Sequence, residues 1–309
     1  MSATAPASPG PRVTAPALRA MKEAGRPIVM LTAYDFHGAR LVEAAGVDAV
    51  LVGDSLGMTV LGHGSTLPVT MEDMVRATAA VSRACTRALV IADMPFMSYA
   101  ADYAEGMRNA GRLVAEGGAH AVKVENASPA TLDLVAGLTD AGIPAMGHVG
   151  LTPQSVNTLG GYHTQGKDAA SATLAIADAL ALEEAGAFAV VLECIPAELA
   201  VRISDLLTIP TIGIGAGAGC DGQVQVFHDL LGLGDFLPRH AKRYVDLGAA
   251  ITQAVTAYAD EVRDGAFPGE EQSTHLAPEV LDEIDAIIEA ADADSDQDSL
   301  GQLDKQLLP

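Results

Sequence analysis

The chain has 309 residues, a formal net charge of −22 and 49% hydrophobic residues, and only 18 of its side chains are Lys or Arg. Such an acidic surface repels the phosphates of nucleic acids and anionic membranes, so we expect neither as a partner. No uninterrupted apolar run approaches the length of about 18 residues that a membrane-spanning helix requires. The three cysteines lack metal-site spacing, which favours a reducing cytoplasmic location.

The negative charge is both spread along the chain and concentrated at its C-terminal end. Residues 269–309 hold 12 acidic residues and one lysine, and the remaining 268 residues carry the other half of the net charge. An acidic functional tail and a general adaptation to high salt both account for this pattern. Because half of the excess lies outside the tail, we favour a halophilic source.

The chain begins with residues 1–16, rich in Ala, Ser, Thr and Pro, which we expect to form a disordered tail. A helix–glycine–strand pattern then repeats along the chain. Glycine just past a helix is the usual cap, because it enters the left-handed conformation without steric cost. The predicted strands are 28–34, 49–53, 89–94, 121–125, 144–149, 188–194, 211–215 and 223–228.

Most of these strands are nearly continuous apolar runs, as in parallel sheets covered on both faces. The segments between them are predicted helices; a capping box at Thr70–Asp73 and an N-cap at Asp168 begin two of them. Eight strands alternating with helices predict a (β/α)8 TIM barrel over residues 17–268. An open doubly wound sheet is the alternative that the pattern leaves.

Two further helices are predicted after the strands. The first covers residues 239–263. The second is amphipathic, runs through Val280 and Ile288, and lies in an acidic C-terminal extension, residues 269–309, that ends in solvated coil from about residue 292. Its apolar face either packs on its own barrel or docks on a neighbouring subunit, and the pattern does not choose between these.

Ionisable side chains lie at the ends of five successive predicted strands. They are Asp54, Asp93, the pair Lys123 and Glu125, His148, and Glu193. Taken singly, each has a structural explanation: an aspartate caps the next helix, a lysine and a glutamate form an ion pair, or a histidine completes a hydrogen bond. Taken together at the mouth of an apolar barrel, they would cost several kcal/mol each in desolvation unless paired or metal-bound. The carboxyl ends of barrel strands are also where active sites lie.

Asp54, Asp93 and Glu125 supply hard oxygen ligands without nearby thiolates, which favours Mg²⁺. An open Mg²⁺ site can chelate a 2-oxo acid and stabilise its enolate. Lys123 is placed to neutralise oxyanion charge. Glu193, on a separate strand among apolar residues, suits the role of general base.

Several uncommon motifs occur together and in order. They are GDSLGM at 53–58, STLPVT at 65–70, ADMPFM at 92–97, VKVE at 122–125, GHVGLTPQS at 147–155, LECIP at 192–196, GIGAG at 213–217 and DGQ at 221–223. Through these motifs the sequence, from residue 28 to residue 268, resembles the 3-methyl-2-oxobutanoate hydroxymethyltransferases, also called ketopantoate hydroxymethyltransferases.

The resemblance implies a barrel fold and the transfer of a hydroxymethyl group from 5,10-methylenetetrahydrofolate to 3-methyl-2-oxobutanoate, giving 2-dehydropantoate for pantothenate biosynthesis. It implies Mg²⁺ bound by Asp54, Asp93 and Glu125. It also implies oxo-acid contacts from Asp54, Ser55, Asp93 and Lys123, a proton-accepting Glu193 and a supporting His148. Members of the family form homo-oligomers, often decamers, so we expect one here.

Two features depart from the family pattern. After Gly160-Gly161-Tyr162 this chain continues with His163-Thr164 where the family commonly has Lys-Val, and the extension beyond residue 268 is additional. Two other functions remain alternatives: a Mg²⁺-dependent oxo-acid lyase or mutase of the phosphoenolpyruvate mutase type, and a non-catalytic oxo-acid-binding barrel. The lyases and mutases typically need an arginine-rich anion pocket, and none of the quoted motifs contains arginine.

Overall fold

A computed structural model describes residues 10–234 and 236–293 of the chain. Eight parallel strands close into a barrel in which each strand pairs with the next along the chain and the last pairs with the first. This confirms the predicted (β/α)8 barrel and excludes the open sheet. The strands are β1 Ile28–Thr32, β2 Ala49–Val52, β3 Leu89–Asp93, β4 Ala121–Lys123, β5 Ala145–Gly150, β6 Ala189–Glu193, β7 Thr211–Ile214 and β8 Gly222–Gln225.

Helices alternate with these strands. In chain order they are α1 Ala15–Glu23, α2 Phe36–Ala44, α3 Leu56–Thr59, α4 Met71–Ala84, α5 Tyr103–Ala115, α6 Pro129–Asp140, α7 Val156–Leu159, α8 Ala169–Glu184, α9 Ala197–Leu206, α10 Phe227–Leu231, α11 Leu247–Arg263 and α12 Pro278–Ala293. Two predicted helix starts are confirmed, since the Thr70–Asp73 capping box opens α4 and Asp168 caps α8.

Side chains that alternate along each strand enter two separate apolar layers. One set, exemplified by Leu51, Ile91 and Met146, fills the barrel interior. The other, exemplified by Val90 and Val190, packs beneath the surrounding helices. Because both faces of these strands are buried, the strands read as continuous apolar runs in the sequence.

The N-terminal boundary differs from the predicted tail. Residues 1–9 of the segment predicted to be disordered lie outside the described part of the chain. Val13 is buried, its amide donates to the Arg87 carbonyl at 2.7 Å, and Thr14 caps α1, which begins at Ala15. The first helix therefore begins inside the segment 1–16.

The helix predicted over residues 239–263 begins later than expected. The observed α11 starts at Leu247, and residues 239–246 are not helical. In that segment the Lys242 amide donates to Oε1 of Gln225 at 2.7 Å, and the Tyr244 amide donates to the Leu230 carbonyl at 2.9 Å. Because these amides donate hydrogen bonds to residues of β8 and α10, they do not form the hydrogen bonds of a helix.

The chain divides into two compact units, residues 1–248 and 249–309. The second contains most of α11 and all of α12. The apolar side chains of α12 are each at least 38% exposed; they are Val280, Leu281, Ile284, Ile287 and Ile288. The predicted coil from residue 292 falls largely beyond the described residues, which end at Ala293. Among the helices of the described residues, none has the length and apolar character needed to cross a membrane.

Gly150, at the end of β5, provides a test of how tightly the barrel mouth is built. It pairs with Glu193 on β6 and has a φ of 97°, and a Cβ at this position would collide with the Glu193 carbonyl oxygen and the Ile195 side chain. We predict that Gly150→Ala lowers the free energy of unfolding by about 2–5 kcal/mol, because backbone strain and overpacking add.

The matched control is Gly142→Ala. Gly142 also has a positive φ, of 80°, but a Cβ there meets nothing within 4 Å. It should lose only about 1–2 kcal/mol, the cost of the left-handed conformation. Chemical denaturation of both variants measures the difference, and an equal loss would show that the Gly150 contacts do not constrain the mouth.

Candidate functional site

The alternation that fills the barrel interior also builds a polar layer at its mouth. On β3, Leu89 and Ile91 lie in the apolar interior, so Asp93, two residues further, points the same way. On β6, Val191 is interior and Glu193 follows it with the same parity. The same spacing leads from Ala121 to Lys123 and Glu125, and from Met146 to His148. Asp54, which follows β2, is buried at the same end.

A buried ion pair forms the centre of this layer. Lys123 Nζ lies 2.5 Å from Asp93 Oδ1 and 4.0 Å from Glu125 Oε1, and these three side chains are at most 5% exposed. The other Asp93 oxygen, Oδ2, accepts a hydrogen bond from the Asp54 amide at 3.0 Å. The predicted residues Asp54, Asp93, Lys123 and Glu125 are thus brought together.

The group of Asp54, Asp93, Glu125 and Lys123 contains more carboxylates than cations. Burial and the charges of Asp93 and Glu125 raise the pKa of Asp54 well above its usual range. Burial also raises the pKa of Asp93, although Lys123 opposes this. Burial lowers the pKa of Lys123, but the three carboxylates outweigh burial and raise it above its usual value. Lys123 is therefore a fixed cation, and the cluster has an excess of carboxylates.

His148 joins this cluster to the predicted base. Its Nδ1 lies 3.4 Å from Glu125 Oε1, and its Nε2 lies 3.4 Å from Glu193 Oε2. Burial and the charge of Lys123 lower the pKa of His148, whereas Glu125 and Glu193 raise it, with a result of about 9. Burial raises the pKa of Glu125, but His148 and Lys123 outweigh burial and lower it. A protonated His148 therefore lies between two carboxylates at neutral pH.

Gln154 and Tyr99 belong to the site, although the sequence pattern did not single out either residue. The side-chain Nε2 of Gln154 donates to Asp54 Oδ2 and to the Met94 carbonyl, both at 2.9 Å. The backbone amide of Gln154 donates to Glu125 Oε2 at 3.0 Å. The Tyr99 hydroxyl donates to Gln154 Oε1 and accepts from the Glu125 amide, both at 3.0 Å. Gln154 lies within the GHVGLTPQS motif, which was its only signal, and Tyr99 lies in none of the quoted motifs.

Ser55, a predicted substrate contact, occupies the rim above Asp54. It is half-buried, and its hydroxyl lies 2.8 Å from the hydroxyl of buried Tyr34. Burial raises the pKa of Tyr34 to about 12, so Tyr34 stays neutral and keeps its proton for hydrogen bonding. Tyr34, which the sequence reasoning also missed, therefore orients Ser55 toward the mouth.

The donor set fits a Mg²⁺ ion held mainly by Asp54 and Asp93. In the described residues no group of three or more His, Cys, Asp or Glu side chains is arranged to hold a metal, but Mg²⁺ commonly uses one or two carboxylates and completes its shell with water and substrate. Asp93 Oδ1 has no hydrogen bond there, only the contact with Lys123, so it retains a lone pair. A dication would also offset the excess of negative charge.

Glu125 fits a direct metal role less well than the two aspartates. Its Oε2 accepts from the Gln154 amide, and its Oε1 faces His148 and Lys123. Oε2 therefore carries a hydrogen bond, whereas Oε1 contacts the two cationic side chains at 3.4 Å and 4.0 Å. This geometry supports Glu125 as a residue that orients His148 and Lys123.

The sequence matches a known protein family and many of its members. A family model described as "Ketopantoate hydroxymethyltransferase" matches residues 12–270. A 3-methyl-2-oxobutanoate hydroxymethyltransferase of Carboxydothermus hydrogenoformans is 55% identical over 88% of this chain and 99% of its own length. The enzyme of that name from Moorella thermoacetica is 55% identical over 85% of this chain and 97% of its own.

Solved structures show the same architecture at much lower identity. A phosphoenolpyruvate phosphomutase from Streptomyces platensis superposes with a TM-score of 0.57 at 18% identity, covering 92% of this chain and 100% of its own. A 2,3-dimethylmalate lyase superposes with a TM-score of 0.55 at 20% identity, covering 92% of this chain and 96% of its own. At these identities the likeness concerns the fold alone.

The hydrogen bonds of Tyr99 lead to a prediction. In Tyr99→Phe the buried Glu125 amide loses its acceptor and Gln154 Oε1 loses a donor. We expect the free energy of unfolding to fall by about 1–3 kcal/mol, because a buried polar group without a partner costs that much. Tyr103→Phe, at a tyrosine of α5 that is 52% exposed, is the control and should be neutral. A Tyr99→Phe variant as stable as wild type in urea denaturation would show that this network does not support the site.

Proposed function

The chain belongs to the ketopantoate hydroxymethyltransferase family, and we propose that it transfers a hydroxymethyl group from 5,10-methylenetetrahydrofolate to 3-methyl-2-oxobutanoate, giving 2-dehydropantoate. One observation carries this proposal. A buried group of carboxylates around one lysine lies on one side of His148, and a separate carboxylate, Glu193, lies on the other. The first group suits binding of an oxo acid, and the second suits removal of its proton.

Binding of the oxo acid requires positive charge and hydrogen-bond donors. Lys123 provides a fixed cation at the floor of the mouth, and the Ser55 hydroxyl provides a donor at its rim. Asp54 and Asp93 would hold Mg²⁺, which would act there as a Lewis acid toward the oxo acid. This arrangement explains why two carboxylates line a pocket for an anionic substrate.

Glu193 would remove the proton from C3 of the oxo acid. It is the least buried carboxylate of the group, with 15% of its side chain exposed, so a substrate above the floor can reach it. Protonated His148 places a positive charge 3.4 Å from Glu193 Oε2, which orients this carboxylate. The resulting carbanion carbon forms a bond to the one-carbon unit, and water supplies its hydroxyl oxygen. Both bonds from that unit to the folate nitrogens N5 and N10 break, and the two nitrogens take up the proton removed from C3 and one proton of the water.

The two other functions have weaker support. The mutases and lyases among the structural neighbours are 17–21% identical to this chain, and at that level the similarity supports a common barrel fold only. A non-catalytic oxo-acid-binding protein would need Lys123 and the aspartates but not a carboxylate at the position of Glu193. The transferase accounts for both halves of the site.

Two further expectations are part of this proposal. The exposed apolar faces of α11 and α12 support self-association, in keeping with the predicted homo-oligomer; Ile251, Val255, Tyr258 and Val262 of α11 are each at least 45% exposed. Multi-angle light scattering measures the assembly. The predicted cytoplasmic location is supported by the free cysteines Cys85, Cys194 and Cys220.

The role of Glu193 is tested by Glu193→Gln. We expect kcat to fall by roughly 10²–10⁴-fold, because general-base catalysis contributes about that factor, while the melting temperature stays near wild type. The matched control is Glu198→Gln, an exposed residue of α9 that should be neutral. NMR can follow exchange of the C3 proton of 3-methyl-2-oxobutanoate in D₂O without folate. Wild-type-like exchange in Glu193→Gln would assign the base elsewhere.

The metal is tested by removal and by substitution. EDTA should abolish activity and added Mg²⁺ should restore it. Asp54→Asn, which removes a charged ligand, should weaken Mg²⁺ binding more than about tenfold in calorimetry with the metal alone. Asp133→Asn, on the exposed face of α6, is the control. Activity that survives chelation would exclude this metal role.

A further inference from the structure

The loop between α7 and α8 has a conformation that the proposed chemistry does not yet explain. This segment, residues 160–166, is called here the crossing loop. It begins at Gly160, the left-handed C-cap of α7, and Gly160, Gly161 and Gly166 have φ values of 71°, 124° and 71°. Gly166 also packs so closely on Leu199 that a Cβ would collide with that side chain. Glycines thus permit sharp changes of direction at both ends.

The crossing loop spans the mouth of the barrel. Near its C-terminal end, the Gln165 amide donates to the Cys194 carbonyl at 2.9 Å, directly after Glu193 at the end of β6. At its tip, the Tyr162 hydroxyl contacts Met58 Sδ at 3.9 Å, on α3 directly after β2. Since β2 and β6 are four strands apart in a closed barrel of eight, they lie on opposite sides. The loop therefore bridges the mouth above the polar layer.

Side chains of the loop hold it in this shape. His163 Nε2 donates to the Gly160 carbonyl at 3.2 Å, and Gln165 Nε2 donates to the His163 carbonyl at 2.8 Å. His163 is one of the two positions at which this chain departs from the common family motif. Its ring closes the turn that presents Tyr162, so the departure is compatible with a well-formed loop.

The Tyr162 hydroxyl faces the site, yet among the described residues its hydrogen-bond partner is a weak one, Met58 Sδ. A thioether sulfur is a poor acceptor, so the contact with Met58 leaves most of the donor capacity of the hydroxyl unused. Burial and the charges of Asp54, Glu193 and Glu125 raise the pKa of Tyr162, which places its oxygen within the field of the carboxylates below and keeps it protonated. The ring itself is 47% exposed.

We propose that Tyr162 is a substrate-positioning residue whose hydroxyl donates a hydrogen bond to the bound oxo acid and whose ring shields the reacting carbon from water. Lys123 and Ser55 bind the substrate from the floor and the rim, and Tyr162 supplies a neutral donor from above. A neutral donor suits this place, because a second cation would compete with Lys123 for the carboxylates. This inference rests on the proposed function for the identity of the oxo acid.

The test compares Tyr162→Phe, which removes only the hydroxyl, with Tyr162→Ala, which also removes the ring. Tyr103→Phe is the matched control, because Tyr103 is similarly exposed, at 52%, and its ring lies against Gly137 of α6. The measurements are kcat and KM for 3-methyl-2-oxobutanoate, the ratio of C3 proton exchange in D₂O to product formed, and the melting temperature of each variant.

In Tyr162→Phe we expect KM for the oxo acid to rise about 3–10-fold with kcat within twofold of wild type, since a neutral hydrogen bond contributes about 0.5–1.5 kcal/mol. In Tyr162→Ala we expect the same rise in KM and, in addition, more proton exchange for each product formed, because water reaches the deprotonated carbon. Melting temperatures should match wild type, and Tyr103→Phe should be unchanged.

An unchanged KM in Tyr162→Phe would overturn the hydrogen bond, and an unchanged exchange ratio in Tyr162→Ala would overturn the shielding. Failure of the proposed function has a different signature, because wild-type protein would then form no 2-dehydropantoate. In that event, calorimetric titration of 3-methyl-2-oxobutanoate in the presence of Mg²⁺ still compares its affinity for wild type and Tyr162→Phe, and equal affinities would overturn the proposal.

Discussion

The ion pair between Lys123 and Asp93 is the interaction on which the site depends. Both side chains are buried, and they share the mouth of an apolar barrel with Asp54 and Glu125. A buried charge costs several kcal/mol unless it is paired, and breaking a buried pair is more costly still. Here one lysine serves three carboxylates. The cluster therefore has an excess of negative charge, which a divalent cation would offset.

His148 divides the site into two halves without separating them electrostatically. Its imidazolium lies between Glu125 and Glu193, so the glutamate that borders the lysine also orients the imidazole that contacts Glu193. Gln154 extends the connection, since it reaches Asp54, Glu125 and the Met94 carbonyl. Residues at the ends of β2 to β6 thereby form one network, in which a change at one carboxylate alters the charge balance at the others.

The sequence predicts those features of the fold and the site that depend on local residue patterns and on the two-residue period of a strand. Apolar runs and glycine caps located all eight strands, and the two-residue period of a strand explains why Asp93 and Glu193 enter the barrel mouth. The positions of Tyr99 and Gln154 depend on hydrogen bonds between residues 26 to 100 positions apart, for which no short pattern exists. Residues 239–246 were assigned to a helix because their local pattern permits one, but their amides bind β8 and α10.

Fold and chemistry are specified at different levels in this protein. Barrels named as mutases and lyases share its architecture at 17–21% identity, so the closed sheet does not by itself define a reaction. What can differ between such barrels is the side of the mouth that carries the base and the loop that covers it. In this chain both meet at the end of β6: Glu193 faces His148, and the next residue, Cys194, binds the crossing loop through its carbonyl. The carbonyl that anchors the crossing loop therefore belongs to the residue next to the proposed base, so the cover of the mouth and the proposed proton acceptor meet at one strand end.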